Sequence, residues 1–230
     1  MKSYGQFCPM ARASEIVAER WTPIILRNML AGCQTFGEIL DGAPGLSKTL
    51  LTQRLRGLER RRIVERRTAS SGRGHTYHLT EVGRELWSVL EALGTWGARY
   101  LDLDPDHLNP YVVLWDVSRL IEERELPHSR VVVRFDLTDR DRRNRFWLVL
   151  NETGVDLCDK APGYDEDLLF TTDSETLAHW HLGWVPLRRA MREGRITIAG
   201  TPRLVREFVR RWQGLSLLAQ VTPERSIPAR

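Results

Sequence analysis

The sequence predicts an α+β protein with two domains, and two observations lead to that prediction. Apolar residues recur at helical spacing through most of the first hundred residues, whereas from about residue 130 they recur at every second position. Charge is also uneven, because residues 1–104 hold 15 Lys or Arg against 11 Asp or Glu, whereas residues 105–230 hold 19 of each. We therefore expect a first domain over residues 1–104, a connecting helix over 105–128 and a second domain over 129–222.

The composition argues against several classes of protein. No stretch approaches the ~20 apolar residues that a membrane-spanning helix requires, and residues 1–9 lack the apolar run of a signal peptide, so we expect a cytoplasmic protein. Cys8, Cys33 and Cys158 are odd in number and include no CxxC pair. This pattern argues against a disulfide framework and against a zinc site, and we expect neither metal nor cofactor.

The first hundred residues predict four helices followed by a hairpin. Helical spacing of apolar residues places the first three helices at residues 9–17, 23–31 and 35–40. A Gly/Pro cluster at residues 41–45 then predicts a turn. The fourth helix is expected over residues 48–61. Thr22 and Ser47 are expected to cap the second and fourth helices through their hydroxyl groups.

The fourth helix has one apolar face and one polar, basic face. Leu51, Leu55 and Leu58 fall at i, i+4 and i+7, so they should be buried together. Residues 48–73 hold nine basic and two acidic residues, as expected of a surface that faces phosphates. The candidate DNA-binding residues on this helix, its cap and the segments after it are Ser47, Lys48, Thr49, Thr52, Gln53, Arg56, Arg61 and Arg73.

Two strands are predicted after this helix, at residues 63–69 and 75–80, with a tip between them that carries Arg73. Two helices joined by a Gly-containing turn and followed by a hairpin are typical of a winged helix-turn-helix. The alternative for the polar face is an ordinary solvated helix surface. The adjoining hairpin and the concentrated positive charge favour DNA binding.

A long helix is predicted from Thr80 to Leu101. Its apolar stripe is wider than one small domain can bury, so we expect it to contact a second copy of the chain. The candidate dimer-interface residues on this stripe are Leu86, Val89, Leu93 and Trp96.

Five segments of the first half carry a resemblance to a known family. They are residues 8–10 (CPM), 19–22 (ERWT), 36–39 (FGEI), 46–55 (LSKTLLTQRL) and 77–83 (YHLTEVG). In this order and spacing they resemble the HxlR family of winged-helix transcriptional regulators over residues 8–101. The resemblance implies a homodimer that binds a near-palindromic operator in double-stranded DNA. One departure is Arg60-Arg61-Arg62, which stands where the family usually has an acidic pair and a glycine.

The second half predicts helices that begin near Asn109, Ser174 and Thr201, with Ser174 as the cap of the second, and five strands. The first of these helices is expected to reach about residue 125, and the predicted strands lie at residues 130–137, 145–150, 155–159, 168–172 and 196–198. This order makes an α+β domain. Residues 194–201 (GRITIAGT), within a pattern over 129–215, resemble the sterol carrier protein fold.

The sterol-carrier resemblance implies a sheet whose helices enclose an apolar cavity for a hydrophobic small-molecule ligand. Five aromatic residues in this half suit the lining of such a pocket. They are Trp115, Phe135, Trp147, Trp180 and Trp184.

The resulting hypothesis is a dimeric DNA-binding regulator whose second domain binds a hydrophobic effector. One alternative is a lipid-binding or carrier protein in which the second domain is primary. Another is a regulator that senses oxidants or electrophiles through Cys8, although a lone cysteine is more often a small buried apolar residue. The sequence has no HExxH, GxSxG, Walker or Rossmann motif, so we expect no catalytic residues and no enzyme.

Overall fold

The computed structural model describes residues 3–69, 72–142 and 144–221. The chain forms two compact units, Met1–Gly94 and Thr95–Arg230, which we call the N-terminal unit and the C-terminal unit. In the described part of the chain, every helix is too short or too polar to cross a membrane.

The N-terminal unit contains the four predicted helices and the predicted hairpin. Its elements are α1 (Pro9–Val17), α2 (Thr22–Leu30), α3 (Phe36–Asp41), α4 (Lys48–Arg60), β1 (Val64–Thr68), β2 (His75–Leu79) and α5 (Glu81–Glu85). Its core is formed by apolar residues of α2, α3, α4 and the hairpin. Asn28 is fully buried within it and donates from Nδ2 to the carbonyl oxygen of Ile39 at 2.9 Å, which ties α2 to α3.

The helix caps of this unit follow the sequence with one exception. The Ser47 hydroxyl accepts from the Leu50 N–H at 3.2 Å, as predicted, and Thr35 forms a capping box with Glu38 at the start of α3. The predicted Thr22 cap is wrong. Trp21, in the left-handed region with φ of 76°, stands at the N-cap, and Thr22 is the first helical residue and is buried.

The backbone at the end of α4 is unusual at Arg62, one of the three arginines that differ from the family's usual residues. Arg62 has a φ of 58°, a left-handed conformation that glycine adopts at lower cost. The Ile63 N–H bonds to the Leu58 carbonyl at 3.0 Å, and the Arg62 N–H bonds to the Glu59 carbonyl at 2.9 Å. This pair of bonds is the Schellman motif, so the chain ends the helix there with an arginine in the usual glycine position.

The single helix predicted from Thr80 to Leu101 is instead two helices, α5 and α6 (Trp87–Tyr100), separated at Leu86. The Leu86 N–H bonds to the Gly83 carbonyl three residues back, at 3.3 Å, which is a 3₁₀ turn. Gly83 packs so closely on the hairpin that a Cβ atom there would lie 2.2 Å from the Ile63 carbonyl oxygen. This contact fixes α5 against the start of β1.

The C-terminal unit contains a five-stranded sheet with helices. After the last part of α6 come α7 (Pro110–Leu120), β3 (Val131–Leu137), β4 (Arg145–Asn151), β5 (Gly154–Cys158), β6 (Leu168–Thr172), α8 (Ser174–His181), α9 (Leu187–Arg192), β7 (Thr197–Gly200) and α10 (Pro202–Arg211). The sheet order is β5-β4-β3-β6-β7, with β3 and β6 parallel and the other pairs antiparallel.

Two sequence expectations in this unit are corrected. The helix expected to reach residue 125 ends at Leu120, and a separate 3₁₀ turn, Glu123–Glu125, follows it. The cap of α8 is Asp173, whose carboxylate accepts from the Thr176 N–H at 2.7 Å. Ser174 instead bonds through its own N–H and hydroxyl to Asp139.

One face of this sheet packs on the helices and forms the core. Alternate residues of the strands, such as Phe135 on β3 and Phe170 on β6, are fully buried against side chains of α7, α8, α9 and α10. The ring centroids of Phe135 and Phe170 lie 4.8 Å apart, and Phe170 also lies 5.5 Å from Trp180 and 5.6 Å from Phe208. Aromatic rings therefore fill the centre of this core.

Candidate nucleic-acid interface

Helix α4 separates its apolar and polar side chains onto different faces. Leu51, Leu55 and Leu58 are buried, as predicted. The exposed candidate residues on the helix and its cap are Ser47, Lys48, Thr49, Gln53 and Arg56. Thr52 is half-buried, and its hydroxyl donates to the Lys48 carbonyl at 2.9 Å. Most of this candidate set therefore lies on the solvent side of one helix.

The positively charged residues of α4 have two different surroundings. Among the described residues, no carboxylate forms an ion pair with Lys48 or Arg56, and both side chains are exposed to solvent. Arg54, in contrast, pairs with the Glu19 carboxylate at 2.9 Å and donates to the Arg20 carbonyl at 3.2 Å. Arg54 thus fastens α4 to the segment between α1 and α2, a structural role that the sequence reasoning missed.

The hairpin after α4 is a two-stranded sheet with an isolated bridge beside it. Val64 pairs with Leu79 and Thr68 with His75, and residues 34 and 35 add a third segment beside β2. The bond from the Tyr77 N–H to the Gln34 carbonyl measures 2.7 Å. Arg73 is exposed at the tip, where residues 70 and 71 lie outside the described part of the chain.

Arg61 stands at the C-cap of α4. Its side chain is exposed, and Nη1 donates to the Gly57 carbonyl at 3.2 Å. Arg61 therefore lies at the opposite end of α4 from Lys48 and Ser47.

Helices α1 and α6 bury none of their residues within the chain. On α6, Val89, Leu93 and Trp96 are 49%, 52% and 48% exposed, and they fall at i, i+4 and i+7 on one face. Leu86, in the turn before α6, is half-buried. On the segment that leads through α1, Phe7 and Met10 are exposed too. Both helices therefore expose large apolar side chains in the described part of the chain.

The segment before α1 is held by one carboxylate. Glu15 accepts from the Ser3 hydroxyl at 2.8 Å and from the Tyr4 N–H at 2.7 Å, and these hydrogen bonds lower the pKa of Glu15 below its usual value.

The three cysteines form no disulfide with one another and lie in different surroundings. Cys8 is half-buried at the N-cap of α1, and Cys33 is buried in the core of the N-terminal unit. Burial, and next the negative charges of Asp156 and Asp159, raise the pKa of the Cys158 thiol, which lowers its fraction of reactive thiolate. Sensing through Cys8 stays a prediction. Within the described ranges, no three His, Cys, Asp or Glu side chains could hold a metal ion.

The five aromatic residues expected to line one ligand pocket are divided by the structure. Phe135 and Trp180 lie together in the filled aromatic core, and Trp115 is buried on α7. Trp147 lies on the opposite face of the sheet, because its neighbour Phe146 is the residue paired with Phe135. Trp184 is half-buried, and its ring centroid lies 5.3 Å from that of His179, with the two rings tilted by 41°.

The opposite face of the sheet carries a groove of about 410 Å³. It lies beside β4 and β5 and is lined by Val149, Cys158 and Tyr164, with Arg130 and Asp156 as charged members. The Arg130 guanidinium carbon lies 3.5 Å from the Tyr164 ring centroid, a cation–π contact.

Glu166 anchors the loop before β6 to this same face. It accepts from the Trp147 indole at 3.1 Å and pairs with Arg134 at 3.4 Å, and the indole hydrogen bond and then the arginine lower the pKa of Glu166. Trp147 therefore borders the groove side of the sheet, and its strand partner is the groove residue Cys158.

Known proteins resemble the N-terminal part of the chain. The family model described as HxlR-like helix-turn-helix matches residues 16–105. The HTH-type transcriptional regulator sll1512 of Synechocystis is 33% identical over 99 residues, which cover 43% of this chain and 73% of that protein.

Two further relatives cover the same part. The HTH-type transcriptional regulator MT3179 of Mycobacterium tuberculosis is 39% identical over 93 residues, which are 40% of this chain and 58% of that protein, so the match spans little more than half of that relative. The reduced form of the transcriptional regulator YodB from Bacillus subtilis is 30% identical with a TM-score of 0.36, over 40% of this chain and 92% of that one.

Proposed function

The chain belongs to the HxlR-like helix-turn-helix family, and from this premise we propose that it is a dimeric transcriptional regulator that reads DNA with α4. The observation that carries the proposal is the exposed, basic face of α4. Thr49, Gln53 and Arg56 lie on it, away from the buried leucine stripe, and a hairpin directly follows the helix. A helix with these side chains can enter the major groove, and a hairpin beside it can contact the backbone.

Each candidate residue has a proposed role. Gln53 and Arg56 contact base edges, because glutamine and arginine offer the bidentate donors that distinguish bases. Arg61 contacts phosphate at the far end of α4, and Arg73 reaches phosphate or the minor groove from the tip of the hairpin. The remaining members, Ser47, Lys48, Thr49 and Thr52, contact the backbone near the start of the helix.

We propose that α1 and α6 form the interface with a second copy of the chain. A closed two-fold dimer covers the exposed face of Val89, Leu93 and Trp96 with the same face of its partner. Such a dimer presents two copies of α4 and therefore binds a near-palindromic operator.

Selection of duplexes from a random library by the purified full chain tests this function. We expect enrichment of one near-palindromic sequence whose half-sites are about 34 Å apart, one turn of DNA, because two-fold symmetry in the protein imposes it on the site. A Gln53→Ala, Arg56→Ala variant lacks the proposed base contacts and should enrich no common sequence. Equal enrichment by the variant, or none by the wild type, would contradict the proposal.

For the C-terminal unit we propose an effector-binding role on a sterol-carrier-like sheet. The support is the mixed five-stranded sheet with helices on one face and the groove on the other. A groove of this size is within the usual range for small-molecule sites. We place the ligand in the groove and not in the core, because Phe135, Phe170 and Trp180 fill the core. A ligand with an apolar body and an anionic group suits Val149, Tyr164 and Arg130.

Titration with decanoate, followed by tryptophan fluorescence, tests the effector role. We expect a saturable change that a Trp147→Phe variant loses and a Trp184→Phe control keeps, because Trp147 borders the groove side of the sheet. The selected duplex should change decanoate affinity by the same factor by which decanoate changes duplex affinity, since coupling between two sites is reciprocal. No saturable change, or identical affinity with and without duplex, would make this unit a scaffold and not a sensor.

A further inference from the structure

The C-terminal unit carries a strongly basic segment within a neutral half of the sequence. Residues 188–211 contain eight arginines and two glutamates, whereas residues 105–187 contain nine basic and sixteen acidic residues. The half as a whole is neutral because its first part is mainly acidic and residues 188–211 are mainly basic. Helix α10 holds half of these arginines, at positions 203, 206, 210 and 211.

Three of the α10 arginines share one exposed face. Arg203, Arg206 and Arg210 are exposed, and their spacing of three and four residues places them within an arc of about 60° and along about 10 Å of the helix axis. Within the described ranges, no carboxylate pairs with Arg203 or Arg206, and Arg210 lies 3.7 Å from Glu207. Arg211 differs from them, because it pairs with Glu125 at 3.4 Å and with Glu207 at 3.2 Å.

The fold does not account for Arg203 and Arg206, whereas Arg210 lies in the last turn of α10, where the helix dipole favours basic residues. Arg203 lies in the first turn of α10, where the helix dipole favours acidic residues, and that turn contains none. The apolar side of α10, which lies opposite these arginines, packs on the core of the C-terminal unit. Phe208 is fully buried against Phe135, Phe170 and Trp180, at ring distances of 5.6 to 6.4 Å. A basic amphipathic helix that binds a membrane must insert its apolar face, and α10 has none to offer.

We propose that the Arg203–Arg206–Arg210 face of α10 is a second DNA-binding surface that contacts phosphates without reading sequence. Phosphates on one strand follow each other every 3.4 Å of duplex axis, so 10 Å of helix matches about three of them. Guanidinium groups suit phosphate oxygens because their paired N–H donors can bind two oxygens at once. This inference rests on the proposed function in one respect, since it takes double-stranded DNA as the shared partner of both units.

The test measures how salt weakens binding of the full chain to a 40-base-pair duplex of arbitrary sequence, followed by fluorescence anisotropy between 50 and 200 mM salt. The test variant is Arg203→Gln, Arg206→Gln, Arg210→Gln. The matched control is Arg124→Gln, Arg142→Gln, Arg145→Gln, which removes the same charge from exposed arginines elsewhere in the same unit. Urea unfolding establishes that both variants fold.

We expect the test variant to lose three phosphate contacts per protomer and the control to lose none. The ratio of affinities at 50 and 200 mM salt should then be smaller for the test variant than for the wild type, by about 40-fold for each protomer that contacts the duplex. Equal salt dependence in test and control variants would overturn the proposal, as would failure of the wild type to bind the duplex. If the test variant instead lost binding to phosphatidylglycerol vesicles and kept its duplex binding, the surface would be a lipid site and the proposal would be overturned.

The two proposals fail separately. The Gln53→Ala, Arg56→Ala variant could lose sequence preference while the α10 variant keeps the salt dependence of the wild type. That result would support sequence reading by α4 and contradict DNA binding by α10. If the first variant kept its sequence preference and the α10 variant lost salt dependence, α4 would not read the sequence and α10 would still bind phosphates.

Discussion

Replacing Gln53 and Arg56 together with alanine is expected to reduce affinity for the selected operator by at least about 30-fold, because each lost base contact costs about 1–3 kcal/mol. Both side chains are exposed on α4, so their removal should leave the core intact. The measurement is an anisotropy titration with the selected duplex and with a scrambled duplex of the same composition.

The scrambled duplex and an Arg142→Ala variant are the controls for this result. Affinity for the scrambled duplex should change far less than affinity for the operator, since contacts to phosphate by residues such as Arg61 remain. Arg142→Ala removes one exposed positive charge from the other unit and should leave sequence preference unchanged. An operator preference that survives the double substitution would mean that another surface reads the bases.

Leu93→Asp is expected to convert a dimer to a monomer and to lower operator affinity at least tenfold. A two-fold interface would bury this aspartate beside its partner copy, and an unpaired buried charge costs several kcal/mol. Sedimentation velocity at micromolar concentration measures the change as a halving of the mass.

Ser88→Asp is the matched control for the dimer, because it adds the same charge to α6 on the side away from Leu93. Its mass should remain that of the wild type. A wild-type monomer, or a Leu93→Asp variant that still forms the dimer, would contradict the assignment of α6 to the interface.

The sequence predicted elements well where local chemistry decides them. Ser47 follows a Gly/Pro turn and precedes a leucine stripe at helical spacing, so both the cap and the buried face of α4 could be predicted. The break at Leu86 could not, because the apolar spacing continues through it, and the close packing of Gly83 on the Ile63 carbonyl joins residues twenty positions apart. Thr22 failed as a cap because Trp21 takes a left-handed conformation that is rare for its residue type.

The candidate sites show the same limit. Arg54 and Arg56 are the same residue type two positions apart. Arg54 forms an ion pair with Glu19 and Arg56 does not, and the sequence does not show where Glu19 lies in space. On β4, residues 146–150 are all apolar and all buried, so the pattern does not say which face each occupies. The sequence therefore predicts one pocket for Trp147 and Phe135, although the register places them on opposite faces of the sheet.

Methylation interference on the selected operator tests most directly whether α4 reads DNA in the major groove. Methylation of guanine N7 adds a group to the major-groove edge that arginine contacts. We predict that it blocks wild-type binding in two blocks of positions about one helical turn apart, and that an Arg56→Ala variant becomes insensitive at one position in each block. Interference that is absent, or that is identical for the wild type and the Arg56→Ala variant, would contradict the placement of α4 in the major groove.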